Sequence, residues 1–414
     1  MKKFKSLAAV IALGAALVLS GCGGNNATPA TAVGDQDSNA TQGKYEDGIY
    51  FAMEDEYAGS GWKNMVTIEV KDGKIADVEW NAANKAGGPD KITFSKSGQY
   101  GMKAGGAAAE WHEQSAKVEE YLIQTQDPEE INFINDDGNT DDIAGVTIKV
   151  HYFFDLAKKA LDAGPVGKGK YQDGAYYAAD AVPAKNGWKY FVSMTVVNGN
   201  IVAVDWNAVD LEGRLKDTLS EEGEYALAPG NQGEWHEQGQ KAEAYLIETQ
   251  DPSAITFNDT GTKTDDIAGV SISVDSLVNL AQEALNNGPI PEGSYKDGYY
   301  YAAGDEFSNG WKYIVNVAVK NGSIAGVGWN AISEEADASH KKWQAQEGEY
   351  ALAPGNQGEW HEQAAKAEAY LIETQDPTKI TYNDSGTKTD DIAGVSISVD
   401  TLFDLAAKAL EEAK

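Results

Sequence analysis

The sequence predicts an α+β fold repeated in three tandem copies, each an antiparallel sheet packed with helices. Three observations carry that prediction. First, "KYEDGIYFA" at 44–52 returns as "KYQDGAYYA" at 170–178 and "SYKDGYYYA" at 294–302. That period is too long for a solenoid unit and suits a small independent domain. Second, alternating apolar residues such as Val66, Ile68 and Val70 run into an Asp-Gly pair, the mark of a hairpin; the later copies use Asn198-Gly199 and Asn321-Gly322. Third, Trp235, Gly239, Ala242 and Leu246 recur at helical spacing.

The elements follow in order. Residues 1–22 read as a lipoprotein signal peptide: Lys2, Lys3 and Lys5, an apolar run from Leu7 to Leu19, then Leu19-Ser20-Gly21-Cys22. The run is too short to span a bilayer and suits a signal sequence. Cys22 is the only cysteine, so no intrachain disulfide forms. Residues 23–43 are small and polar and read as a flexible tether.

The copies occupy 44–164, 170–287 and 294–414. Each is expected to run through a short aromatic strand, the hairpin, a variable polar insertion and a helix stopped at "TQDP". A short strand such as "AITFN", an acidic Gly segment and an amphipathic helix with Asp275 as candidate N-cap complete it. The boundaries "DAGPVGKG" and "NNGPIPEG" supply Gly and Pro where a helix stops.

The formal net charge is −32, from 65 acidic and 33 basic side chains. A field of that sign repels nucleic acid, which is excluded as a partner. It is also expected to hold the copies apart.

Chemistry concentrates in one motif. "NTDDIAGVTIKV" at 139–150 returns as "TKTDDIAGVSISV" at 262–274 and 387–399. A turn needs the Gly and tolerates the Asp pair, but it does not need Thr147, Ser271 or Ser396 at one fixed offset. A hydroxyl can form a phosphoester. A neighbouring Gly lets another enzyme reach the backbone and lets amides face a phosphate. A carboxylate nearby can hold a nucleotide's metal ion.

With this motif each copy resembles the FMN-binding domain of the flavin subunits of bacterial ion-pumping redox complexes. The three-copy lipoprotein as a whole is similar to the pheromone-lipoprotein family of Gram-positive bacteria, whose members act in extracellular electron transfer. The resemblance covers about 44–414. In that family Asp-x-x-Ser/Thr-Gly-Ala-Ser/Thr is read by a flavin transferase, which joins FMN through its phosphate to the last hydroxyl. The motif's Asp falls on Asp141, Asp265 and Asp390, its Gly on Gly145, Gly269 and Gly394, and the acceptor on Thr147, Ser271 and Ser396. The chain departs at Ala144, Ala268 and Ala393, and at Val146, Val270 and Val395.

The resemblance implies up to three covalent FMN groups and an electron carrier rather than a dedicated enzyme. It implies anchoring by lipid on Cys22 at the outer face of the cell membrane. Electrons would pass from a membrane NADH-quinone-type reductase or the quinone pool to extracellular acceptors such as ferric iron. The alternative is a flavin-free binding or adhesion lipoprotein whose signal peptide releases a peptide pheromone.

Two further sets are candidates to line a flavin site: Trp80, Trp206 and Trp329 of "WNA", by stacking, and His112, His236 and His361 of "EWHEQ". Glu110 and Glu113 stand near enough in sequence to partner the first His. Hydrolysis lacks a Gly-x-Ser-x-Gly elbow, and zinc lacks a second His at i+4 or a Cys pair. "NDDGNTDDIAG" faintly resembles a calcium loop, but no Glu closes it.

Overall fold

The computed structural model describes residues 43–414. The signal sequence, Cys22 and nearly all of the proposed tether lie outside the described residues. Three three-stranded antiparallel sheets, each packed with helices, give the α+β fold. The strands are β1 (Gly48–Met53), β2 (Trp62–Lys71) and β3 (Lys74–Asn84) in copy 1. Copy 2 has β4 (Gly174–Ala179), β5 (Lys189–Val197) and β6 (Asn200–Val209), and copy 3 has β7 (Gly298–Ala303), β8 (Trp311–Lys320) and β9 (Ser323–Ser333). The order is sequential in each.

The hairpin tips are those expected. Asp72-Gly73, Asn198-Gly199 and Asn321-Gly322 all have positive φ, the backbone a two-residue turn with the sheet's twist demands. The Asp of each "DG" motif explains why the first strand starts where it does. Asp47, Asp173 and Asp297 accept the N–H of Gly73, Gly199 and Gly322 at 2.7, 2.6 and 2.7 Å.

Each copy carries three α-helices: α1 (Lys91–Lys96), α2 (Trp111–Thr125) and α3 (His151–Ala163), then α4 (Lys216–Glu221), α5 (Trp235–Thr249) and α6 (Asp275–Asn287). Copy 3 has α7 (Lys341–Gln346), α8 (Trp360–Thr374) and α9 (Asp400–Ala409). The long helices pack one face of each sheet around Trp80 and Trp111, Trp206 and Trp235, Trp329 and Trp360, with ring centroids 5.3, 5.4 and 5.0 Å apart.

The first long helix of each copy ends on a glutamine in left-handed conformation: Gln126, Gln250 and Gln375. Its amide then bonds both backbone groups of one residue on the third strand. Gln126 accepts from Ile75 N and donates to Ile75 O, each at 2.8 Å, and Gln250 and Gln375 do the same to Ile201 and Ile324. Further along, Trp80 N donates to Glu119, Trp206 N to Glu243 and Trp329 N to Glu368. Ala82, Ala208 and Ala331 donate to the side chain of the preceding Asn.

Four expectations need correction. The variable insertion holds a short helix, α1, α4 or α7. "AITFN" forms no strand, because side chains of the acidic segment take its backbone: Asp266 accepts from Thr256 N at 2.7 Å, as Asp142 does from Asn132 N. Asp275 is the first residue of α6 rather than its cap, which is Val274.

The copies are also not held apart. They form one compact unit, with the second faces of the sheets turned toward one another. Met65, Ala83, Val197, Val202 and Ala203 share a buried cluster, and Phe191 packs on Tyr299 at 4.7 Å. Buried lysines offset the acidic charge across the seams. Lys189 donates to Val327 O, Lys320 to Ala86 O and Lys342 to Ala181 O, each at 3.0 Å. The connecting segments lie along the preceding sheet, with Val166 N on Ile49 O and Ile290 N on Ala175 O.

Candidate functional site

The three hydroxyls sit on one repeated turn. Gly145, Gly269 and Gly394 have φ of +75°, +80° and +75°, a left-handed backbone that favours glycine. Ile143 and Val146 before and after the turn are buried, as are Ile267 and Val270, and Ile392 and Val395. The Val that follows each Gly is therefore an anchor that fixes the turn on the core. Thr147 is left exposed, and Ser271 and Ser396 partly so.

A buried glutamine holds each hydroxyl residue. Gln114 Oε1 accepts from Thr147 N at 2.7 Å and from its Oγ1 at 3.2 Å. Gln238 and Gln363 do the same for Ser271 and Ser396, at 2.6 and 3.1 Å and at 2.6 and 3.2 Å. Each glutamine is fixed by donating to Ala109, Gly233 or Gly358 O. An ammonium stands on the other side: Lys117 donates to Ala144 O, Lys241 to Gly269 O and Lys366 to Gly394 O, at 3.3–3.4 Å. A Cβ added at each Gly would come within 2.6–2.8 Å of that nitrogen, so the glycine keeps the cation against the turn.

This arrangement fits the phosphate end of an FMN phosphoester: a reachable hydroxyl on a backbone that the glutamine fixes, and a cation beside it. The carboxylates of Asp141, Asp265 and Asp390 are exposed on the same turns. In copies 2 and 3 the loop "PGNQG" covers the hydroxyl, and Ser271 and Ser396 also reach Asn231 and Asn356 Oδ1 at 3.2 and 3.0 Å. Copy 1 has "AGGAAA" there, which leaves Thr147 with Gln114 as the side-chain partner.

The two other candidate sets lie elsewhere. Trp80, Trp206 and Trp329 are at most 2% exposed and form the centre of each core, so no ring face is open for stacking on a flavin. A tryptophan ending a strand reads the same whether it faces a loop or a core; its strand register decides. His112 and His236 bridge the short and long helices, with Nδ1 at 2.9 and 2.8 Å from the hydroxyls of Ser95 and Ser220. Ala345 takes that place in copy 3, and His361 Nδ1 is buried with no partner. Among the described residues no hydrogen bond joins these histidines to the motif hydroxyls. Glu110 and Glu113 cap the helix instead: Glu113 accepts Glu110 N at 2.7 Å, and Glu110 accepts Met102 N and Lys103 N.

An aromatic cage around a lysine went unread in the sequence. Lys216 Nζ lies 4.7–5.2 Å from the ring centres of Trp188, Tyr190, Tyr225 and Trp235 and donates to Tyr190 Oη at 2.6 Å. Lys341 is held alike by Trp311, Tyr313, Tyr350 and Trp360. Lys91 has three rings, because Asn64 replaces the tyrosine. Burial pushes all three ammoniums down to about 8. The signal was there in part: Tyr100, Tyr225 and Tyr350 each stand nine residues beyond the lysine that opens a short helix, and "GWK" recurs upstream at a distance that varies from copy to copy.

A cavity of about 1120 Å³ lies where copies 1 and 2 meet, with β7 and Lys320 of copy 3 at its side. His236, Asp205, Asp217 and Glu243 line it.

No family model matches the chain, and no curated protein matches it. Two solved structures are similar to part of it. One, a solution structure from Clostridium thermocellum, is 57% identical over 28% of this chain and 91% of its own, with a TM-score of 0.25. The other, a crystal structure from Clostridium perfringens, is 26% identical over 29% and 88%, with a TM-score of 0.24.

Proposed function

We propose that the protein is a lipid-anchored extracellular electron carrier bearing up to three FMN groups, attached as phosphoesters at Thr147, Ser271 and Ser396. The observation that supports this most is the threefold recurrence of one arrangement: hydroxyl, glutamine, left-handed glycine and lysine. The glutamine fixes the rotamer of the hydroxyl residue and accepts its proton's hydrogen bond. The lysine balances phosphate charge, and the exposed turn admits a transferase. Bound FMN would supply the redox chemistry, and the chain supplies attachment and surroundings.

Coexpression with a flavin transferase tests this. Intact-protein mass should rise by whole FMN increments, yellow colour should survive denaturation, and Thr147→Ala should lose one increment. Peptide maps with no flavin, or with flavin away from these three residues, would refute it. The second reading, a flavin-free binding protein, is supported by the cavity between copies 1 and 2.

A further inference from the structure

The seam between copies 2 and 3 shows what the seam between copies 1 and 2 lacks. In copy 3 the Lys342 ammonium lies against Glu368, 2.6 and 2.8 Å from its two oxygens, and donates to Ala181 O across the seam. Both side chains are buried, and the space left beside them is about 10 Å³.

In copy 2 Glu243 matches Glu368, each accepting the N–H of the core tryptophan. Asp217 matches Lys342: their backbone N–H groups donate to Asn207 and Asn330 Oδ1 at 3.1 and 3.0 Å. Asp205 replaces Gly328. The cation is thus exchanged for two carboxylates, and the cavity of about 1120 Å³ opens there.

We propose that this cavity binds a primary alkylammonium ligand, one ammonium seated on Glu243 where copy 3 places its own Lys342. Nine carboxylates line the cavity against three lysines, which suits a ligand with more than one ammonium. Tyr57 and Tyr299 line it too, and both hydroxyl oxygens are buried without a hydrogen-bond partner. Asp205 is nine-tenths buried at the same wall.

Burial, with Asp217 adding repulsion and Lys320 partly offsetting it, pushes the Asp205 carboxyl up to about 7. Glu243 is raised well above its ordinary value by burial and by Asp205. A bound ammonium relieves both. A primary ammonium brings N–H donors of its own, which the carboxylates and the unpartnered Tyr57 and Tyr299 hydroxyl oxygens can accept. The proposal does not depend on flavin attachment.

The test is calorimetric titration of the full chain with spermidine, at an ionic strength that screens exposed charge. Wild type should bind at one site. Asp217→Lys, which supplies an internal ammonium, and Asp205→Asn/Glu243→Gln should each weaken binding at least about tenfold. Both variants remove repulsion, and melting curves will report that they stay folded. Asp136→Asn/Asp137→Asn, on the exposed acidic loop, should bind as wild type does. No binding by wild type, equal binding by all variants, or equal binding of tetramethylammonium, which has no N–H, would overturn the proposal.

Discussion

Copies 2 and 3 share long identical stretches, including "GEYALAPGNQGEW", yet the surfaces they turn to the preceding copy are opposites. Copy 3 closes its seam with a buried ion pair; copy 2 leaves two extra carboxylates at an open cavity. The residues that differ sit at the second position of a short helix and in mid-strand, flanked by conserved hydrogen bonds. The duplicated scaffold fixes where a side chain lands, and one residue there decides whether the seam is filled or left to a ligand.

Several measurements sharpen or break that contrast. The largest effect is expected from Lys342→Met. It strands the buried Glu368 charge and should cost about 3–5 kcal/mol in denaturant unfolding. Adding Glu368→Gln should recover most of that loss. If Lys342→Met is neutral, the pair does not hold the seam.

The next effect is on pH. An unfolded aspartate titrates near 4, and Asp205 in the fold near 7. The folded chain binds this proton more tightly, so its stabilisation is complete below about pH 4 and is lost as pH rises through about 7. Asp205→Asn should remove that dependence, worth on the order of a few kcal/mol, when its stability profile is subtracted from that of wild type. A difference that is flat between those values would mean Asp205 is not buried as a proton-holding group.

The smallest effect is at the histidines. Ala345→Ser gives His361 the partner that His236 has in Ser220 and should stabilise by about 1 kcal/mol. Ser220→Ala should cost a similar amount. Equal and opposite shifts in melting temperature would confirm that the two sites are interchangeable.

Much of this was legible in the sequence. The three copies, the Asp-Gly and Asn-Gly hairpin tips and the long helices follow from local rules that tertiary packing did not overrule. The motif turns were legible as well, since Gly145, Gly269 and Gly394 take the backbone that only their residue type adopts easily.

The rest depends on contacts distant in sequence. "KITFSK", "KDTLSE" and "KKWQAQ" are too short to show a period, so α1, α4 and α7 went unseen. "AITFN" has strand composition, but Asp266 takes its backbone. Trp80, Trp206 and Trp329 are buried by strand register, which composition does not reveal. Net charge argued against close packing of the copies, because the lysines that cross the seams are few against the acidic total.

The glutamines that end α2, α5 and α8 have a consequence beyond capping. Three near-copies of one sheet in a single chain are an invitation to mispair, since any free strand border can template another. Here the outer border of β3 is occupied by Gln126, Glu119 and Asn81 of its own copy, and β6 and β9 are closed by the corresponding side chains. On the other border the connecting segment lies along β1 and β4. At these positions of β3, β6 and β9 neither strand swapping between copies nor filament growth from chain to chain finds an unpaired N–H, and on β1 and β4 the connecting segment occupies the Ile49 and Ala175 carbonyls, so the chain can carry the same domain three times and still keep three separate sheets.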